Sequence, residues 1–145
     1  MGRIYIKNYD LSKEWPPSDT IRWCYRNSLN TNRKADGCLK GGGLIVGQLK
    51  DMLRNDEGHL TVAHNGEKLV GWAVSYVCYE PAAWQFQCYV PPRQRRQGIG
   101  SKLLKKACSL VGRVEVFNTG TSNKFYKANG LTHKEAITGK RLKNA

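Results

Sequence analysis

A chain of 145 residues has the size of one domain, enough to bury roughly two-thirds of the surface that its unfolded form exposes. Apolar residues at 40% and charged residues at 24%, with no Ser-, Gln- or Pro-rich tract, exclude a disordered or low-complexity protein. The 24 Lys and Arg against 11 Asp and Glu leave +13, a field that recruits polyanions and exceeds what one bound nucleotide needs.

The chain starts MGRIYIKNYDLSKEW, without the apolar run of a secretory signal, and Ile6 breaks the myristoylation pattern. Apolar stretches such as 69–74 are too short to cross a bilayer. The expectation is therefore a cytoplasmic protein with no membrane partner, folded as a single domain over residues 1–145. Ile4 and Ile6 alternate with polar residues and predict a strand over Arg3 to Tyr9. After WPPSD, with Ser18 or Asp19 as N-cap, Ile21, Cys24, Tyr25 and Leu29 fall at helical spacing and predict a helix over about 19–28. Leu44, Val46, Leu49, Met52 and Leu53 predict a second helix behind Gly41, Gly42 and Gly43. That run is not a nucleotide-triphosphate loop, because Gln48 and Leu49 follow Gly47 where Lys and Ser or Thr are required.

From His59 the period changes to two. Asn65-Gly66 between two β-rich runs predicts a hairpin of strands 59–64 and 68–79, and a third strand, Trp84 to Val90, closes at Pro91-Pro92. Ile99, Leu103, Leu104, Ala107, Cys108 and Val111 then line one face of a helix that stops at Gly112, with Lys102, Lys105 and Lys106 elsewhere on its circumference. The five cysteines, Cys24, Cys38, Cys78, Cys88 and Cys108, are odd in number and form no C-x-x-C pair, so they read as reduced thiols, and no metal site is expected.

The unit over 88–112 is strand, basic glycine loop, amphipathic helix. Gly98 and Gly100 let the backbone pass close to a ligand, the first helical turn offers unpaired N–H groups at a positive dipole end, and Arg93, Arg95 and Arg96 add charge. This combination points to a polyphosphate. It is not the dinucleotide fingerprint, because Leu103 stands where the third glycine belongs.

Val90, Pro92 and then Arg95-Arg96-Gln97-Gly98-Ile99-Gly100 resemble the coenzyme A signature [Q/R]-x-x-G-x-[G/A] of the GNAT superfamily of N-acetyltransferases. About 25 residues on, Phe125-Tyr126-Lys127-Ala128-Asn129-Gly130-Leu131 resembles the family's F-Y-x-x-x-G-F segment. The resemblance implies an α/β (α+β) fold: a mixed, mostly antiparallel sheet flanked by helices, with one parallel strand pair splayed around the acyl-CoA site. It also implies acetyl-CoA as co-substrate. The N–H groups of Arg96, Gln97, Gly98, Ile99, Gly100 and Ser101 would hold the pyrophosphate, with Arg95 beside them, and the strand edge at Tyr89 and Val90 would pair with the pantetheine arm. A strand over Arg113 to Phe117 would run parallel to Trp84 to Val90.

Direct transfer to an amine needs a neutral nitrogen, a donor to the carbonyl oxygen and a proton for the departing thiolate. A backbone N–H near Tyr89 or Val90 serves as oxyanion donor. Tyr126 matches the family tyrosine near the sulfur and would protonate it. No carboxylate or His occurs in Trp84 to Val90, so the general base is sought at Glu80, Glu115 or His133, or in water. Thr119 and Ser122 depart from the family's usual Asn and Ala, with Asn118 or Asn123 as substitutes on the cofactor side. After Leu131 only about fourteen residues remain, enough for one strand and a basic tail. The acceptor pocket is then open, or completed by the second subunit of a homodimer. The acceptor is an amine on a small molecule or a protein. Two alternatives stand beside it: an acyltransferase acting on nucleic acid, such as charged transfer RNA or a modified base, which would use the surplus charge, and a non-catalytic module binding coenzyme A or nucleic acid.

Overall fold

The computed structural model describes residues 3–28, 44–79, 82–117 and 136–138, and every structural statement below concerns these residues. Strand β1 (Ile4–Asp10) leads into helix α1 (Ser18–Arg26) and, further along, helix α2 (Leu44–Asn55). Strands β2 (His59–Asn65), β3 (Lys68–Tyr79) and β4 (Ala82–Tyr89) follow as a meander. A short 3-10 turn at Pro92–Gln94 precedes helix α3 (Ile99–Val111), then β5 (Glu115–Phe117) and β6 (Ala136–Thr138). The six strands form one sheet in chain order, antiparallel throughout except for the parallel pair β4–β5. This is the mixed, mostly antiparallel sheet with one parallel pair that the sequence led us to expect.

The elements form where the local chemistry asks for them. Asn65 pairs with Lys68, so Gly66 and Glu67 make the hairpin turn, and Gly66 takes the positive φ of 65° that such a turn requires. The α3 stripe is followed by Gly112, whose N–H reaches the Cys108 carbonyl at 2.8 Å. One end differs from expectation. The N-cap of α1 is Pro17, with no side-chain cap bond, and Ser18 and Asp19 lie inside the first turn. Proline has its φ preset and lacks only an N–H, so it enters a helix at little cost, and Asp19 still complements the dipole from within the turn.

The sheet separates two apolar layers. On one face α3 packs Ile99, Leu103, Leu104 and Ala107 against Ala63, Val70, Ala73 and Phe86. On the other, α1 and α2 bring Cys24, Ile45, Leu49 and Met52 onto Leu60, Val62, Trp72 and Val74. Each large aliphatic side chain so buried contributes roughly 1.5–3 kcal/mol. Trp72 also ties the layers to the chain's course, its Nε1–H donating to the Asn27 carbonyl at 2.6 Å as α1 ends.

The seat of α3 depends on Gly71. A Cβ there would stand 2.8 Å from Ile99 Cγ2 and 3.3 Å from Val90 Cγ2. Ile99 is β-branched and opens the helix, so it cannot swing aside without moving the first turn. Gly71→Ala is expected to lower stability by about 1–3 kcal/mol and to shift the glycine loop. Chemical denaturation with the midpoint and slope read separately checks this, and an unchanged midpoint would show that the helix start yields freely.

Candidate active site

The β4–β5 pair is joined over two rungs, Gln85 with Glu115 and Phe86 with Val116. Beyond that β4 continues through Gln87, Cys88 and Tyr89, held on its other side by Val74, Ala73 and Trp72 of β3. Phe117 instead pairs with Ala136 of β6. Among the described residues the two strands therefore part after Phe86, and the backbone of β4 from Gln87 onward presents unpaired groups to the opening, one residue in two facing that side.

The glycine loop lies where β4 points. Gln94 and Arg95 close the 3-10 turn onto Pro91 and Pro92. Arg96 then takes a positive φ of 67°, a left-handed conformation uncommon for a side-chain-bearing residue, and Gly98 follows at 77° as the N-cap of α3. The first bond into the helix is donated by Lys102 N–H to the Gly98 carbonyl at 3.1 Å. The N–H groups of Ile99, Gly100 and Ser101 thus precede the helical ladder at its positive end. A Cβ at Gly98 would meet nothing within 4 Å, so the loop has open space in front of it. Arg96 and Gln97 are exposed, while the Ile99 side chain is buried in the core, leaving only its backbone for a ligand. Free donors, a dipole end and an open approach fit a pyrophosphate.

Arg95 has a narrower role than a mobile charge. Its Nε donates to the Val90 carbonyl at 2.7 Å and its guanidinium lies 5.4 Å from the centre of the Tyr89 ring. It braces the strand end against the loop. The Tyr89 side chain, 4% exposed, belongs to the core under α1 and α2, so its contribution to the opening is its backbone. Cys88 points to the α3 layer, and burial pushes its thiol up to about 12, only partly offset by Arg95. Such a thiol stays protonated at neutral pH and cannot act as a nucleophile.

Of the residues sought for catalysis, Glu115 is brought to the last rungs before the opening, where its Oε2 accepts from Gln85 Nε2 at 2.9 Å. Glu80, Asn118, Thr119, Ser122, Asn123, Tyr126 and His133 lie outside the described residues. Two side chains that a search for titratable groups passes over stand here as well. Gln85 is buried beside Glu115, and Gln87, the first residue past the paired rungs, donates from Nε2 to the Tyr76 hydroxyl at 2.8 Å. The signal for both was the polar alternation inside an otherwise apolar strand.

At the far end of β3 and β4 from the glycine loop a cavity of about 390 Å³ is lined by Asp10, Asp51, Glu57, His59 and Tyr76, among others, and by no Lys or Arg. Tyr76 joins it to Gln87. Asp10 and Asp51 also face Lys13 at 4.0 Å and Arg54 at 3.2 Å. His59 is held below the ordinary imidazole range chiefly by burial. Its Nδ1 meets Asn8 Nδ2 at 2.9 Å, while Asn8 Oδ1 accepts from Thr61. That arrangement makes Nδ1 the acceptor of a neutral ring.

Residues 56–132 match the family model for the acetyltransferase (GNAT) domain. No curated protein matches the chain by sequence. Among solved structures, the chain is similar to a GCN5-related N-acetyltransferase from Ralstonia eutropha, with TM-score 0.65 and 15% identity over 91% of this chain and 94% of that one. It is similar also to the aminoglycoside N-acetyltransferase AAC(6')-Iy, solved in complex with CoA, with TM-score 0.63 and 12% identity over 94% and 93% of the two chains. A third likeness is to ElaA of Escherichia coli, with TM-score 0.58 and 14% identity over 94% and 97%.

Proposed function

Because the chain belongs to the GNAT acetyltransferase family, we propose that it moves an acetyl group from acetyl-CoA to an amine by direct attack, within the opening between β4 and β5. The observation that carries this reading is the joint placement of that opening and the free-donor loop at the end of the same strand. The N–H groups from Arg96 to Ser101 hold the pyrophosphate. The β4 edge at Tyr89 and Val90 pairs with the pantetheine arm, and the thioester supplies the activated acetyl group. A backbone N–H at Tyr89 or Val90 stabilises the negative charge that develops on the carbonyl oxygen. Tyr126 protonates the departing sulfur. Glu115 receives the proton from the nitrogen, with Glu80 as the other carboxylate in reach of the strand's start by sequence. The protonated state of Cys88 favours direct attack over an acyl-enzyme.

A cationic acceptor suits the carboxylates lining the cavity beyond Tyr76. The surplus of +13 favours a second reading, in which the acceptor amine is carried on nucleic acid. Thiol release from acetyl-CoA, followed across small amines, proteins and charged transfer RNA, tests both. Release with small amines and no salt-dependent affinity for RNA selects the first reading. Release only with RNA, with affinity falling steeply as salt rises, selects the second, and no release from any acceptor sinks both.

A further inference from the structure

Gln85 is 4% exposed, and with its Nε2 committed to Glu115 its Oε1 is buried without a hydrogen-bond partner among the described residues. Native proteins rarely leave a buried amide oxygen empty, and a group left so at a cleft awaits a donor from outside. Its position gives the donor a direction of approach. Gln85 and Glu115 form the rung next to Phe86 and Val116, where β4 and β5 part. On its other side Gln85 is paired with Tyr76, which packs with the α1 and α2 layer, whereas Phe86 and Val116 pack against α3. The empty oxygen and the Glu115 carboxylate therefore stand together on the helix α1 and α2 side of the vertex, away from α3.

We infer that Gln85 and Glu115 together hold the acceptor nitrogen, which makes a primary amine the substrate class; this rests on the acetyltransferase reading above. An alkylammonium at the vertex meets two acceptors. Glu115 takes one proton, and Gln85 Oε1 accepts a hydrogen bond from an N–H that remains. The nitrogen lone pair then forms the C–N bond to the thioester carbonyl carbon. The C–S bond breaks, the sulfur leaves with the bonding pair and is protonated, and the nitrogen sheds a second proton. One proton is released overall for each ammonium consumed. The amide made from a primary amine still carries an N–H, so Gln85 keeps its partner throughout. A secondary amine has none left once its second proton is gone, and the oxygen is orphaned again as the reaction completes.

The experiment follows thiol release from acetyl-CoA with primary amines and their N-methyl counterparts, in the native chain and in Gln85→Leu and Gln85→Met. Acetyl-CoA calorimetry and thermal unfolding run in parallel. The native chain is expected to prefer each primary amine by at least about a hundredfold, as sites built around a hydrogen bond do. Both variants are expected to bind acetyl-CoA unchanged and to unfold no earlier than the native chain, because an unpaired buried polar atom has been removed. Their turnover should fall about tenfold or more, with the preference for primary amines reduced to a few-fold. A native chain that accepts both amine classes equally overturns the assignment without any variant. So does a folded variant that keeps the native preference or the native turnover. Acetyl-CoA binding with no thiol release from any amine removes the acetyltransferase reading itself, and the assignment with it.

Discussion

Replacing Gly98 by Asn and Gly100 by Leu in one chain is expected to weaken acetyl-CoA binding by at least about a hundredfold, while the fold persists. Gly98 sits at φ 77°, and Asn tolerates that conformation better than other residues with a side chain. The space before it is open, so the new side chain is housed without collision in the protein itself. That same space is the approach to the loop's N–H groups. Gly100 lies in the first turn of α3, where Leu is a good helix former and its bulk stands beside Ser101. Losing two hydrogen bonds to a charged phosphate costs about 3 kcal/mol or more. Calorimetry with acetyl-CoA, together with circular dichroism of the variant, measures both halves. A folded variant that binds with native affinity would move the pyrophosphate away from this loop. Arg96→Ala should weaken binding much less, because an exposed charge contributes modestly and other cations flank it.

Tyr126→Phe should lower turnover by about a hundredfold or more, the usual range for loss of general acid assistance. The role rests on the resemblance of Phe125-Tyr126 to the family segment. The phenyl ring preserves packing, so acetyl-CoA affinity and thermal stability should hold. Turnover and coenzyme affinity are compared at saturating acceptor, with chemistry established as the slow step. Equal turnover in the two proteins would mean that water or another group protonates the sulfur.

The meander was legible because its signals are local. Alternation of period two and the Asn65-Gly66 pair are complete within 59–79, and the α3 stripe with its Gly112 stop is complete within one helix. What stayed hidden depends on register between distant segments. Gln85 and Glu115 are thirty positions apart, joined only through the crossover that α3 makes, so neither residue announces the other. The irregularity between Ala63 and His64 in the β2–β3 pairing also leaves no mark in the alternation. Gly71 reads in sequence as a weakness in a strand, and its reason appears only when Ile99 is laid over it. Of the cofactor loop, the glycines and arginines could be read directly. The brace that Arg95 makes to Val90 could not, because it requires the 3-10 turn to fold the chain back on the strand end.

The two-rung junction between β4 and β5 has a kinetic meaning as well. Strands β2, β3 and β4 pair with immediate neighbours in sequence, so their loop-closure entropy is small and they can assemble early. Strand β5 must wait for the whole α3 crossover and then gains only a short parallel ladder. The cleft is thus completed late in folding and held at the low end of the molecule's local stabilities. Sequence changes around the vertex would register mainly in the unfolding rate, leaving the folding rate to the meander, so this half of the sheet can be rebuilt for a different acceptor without impeding the chain's route to its native state.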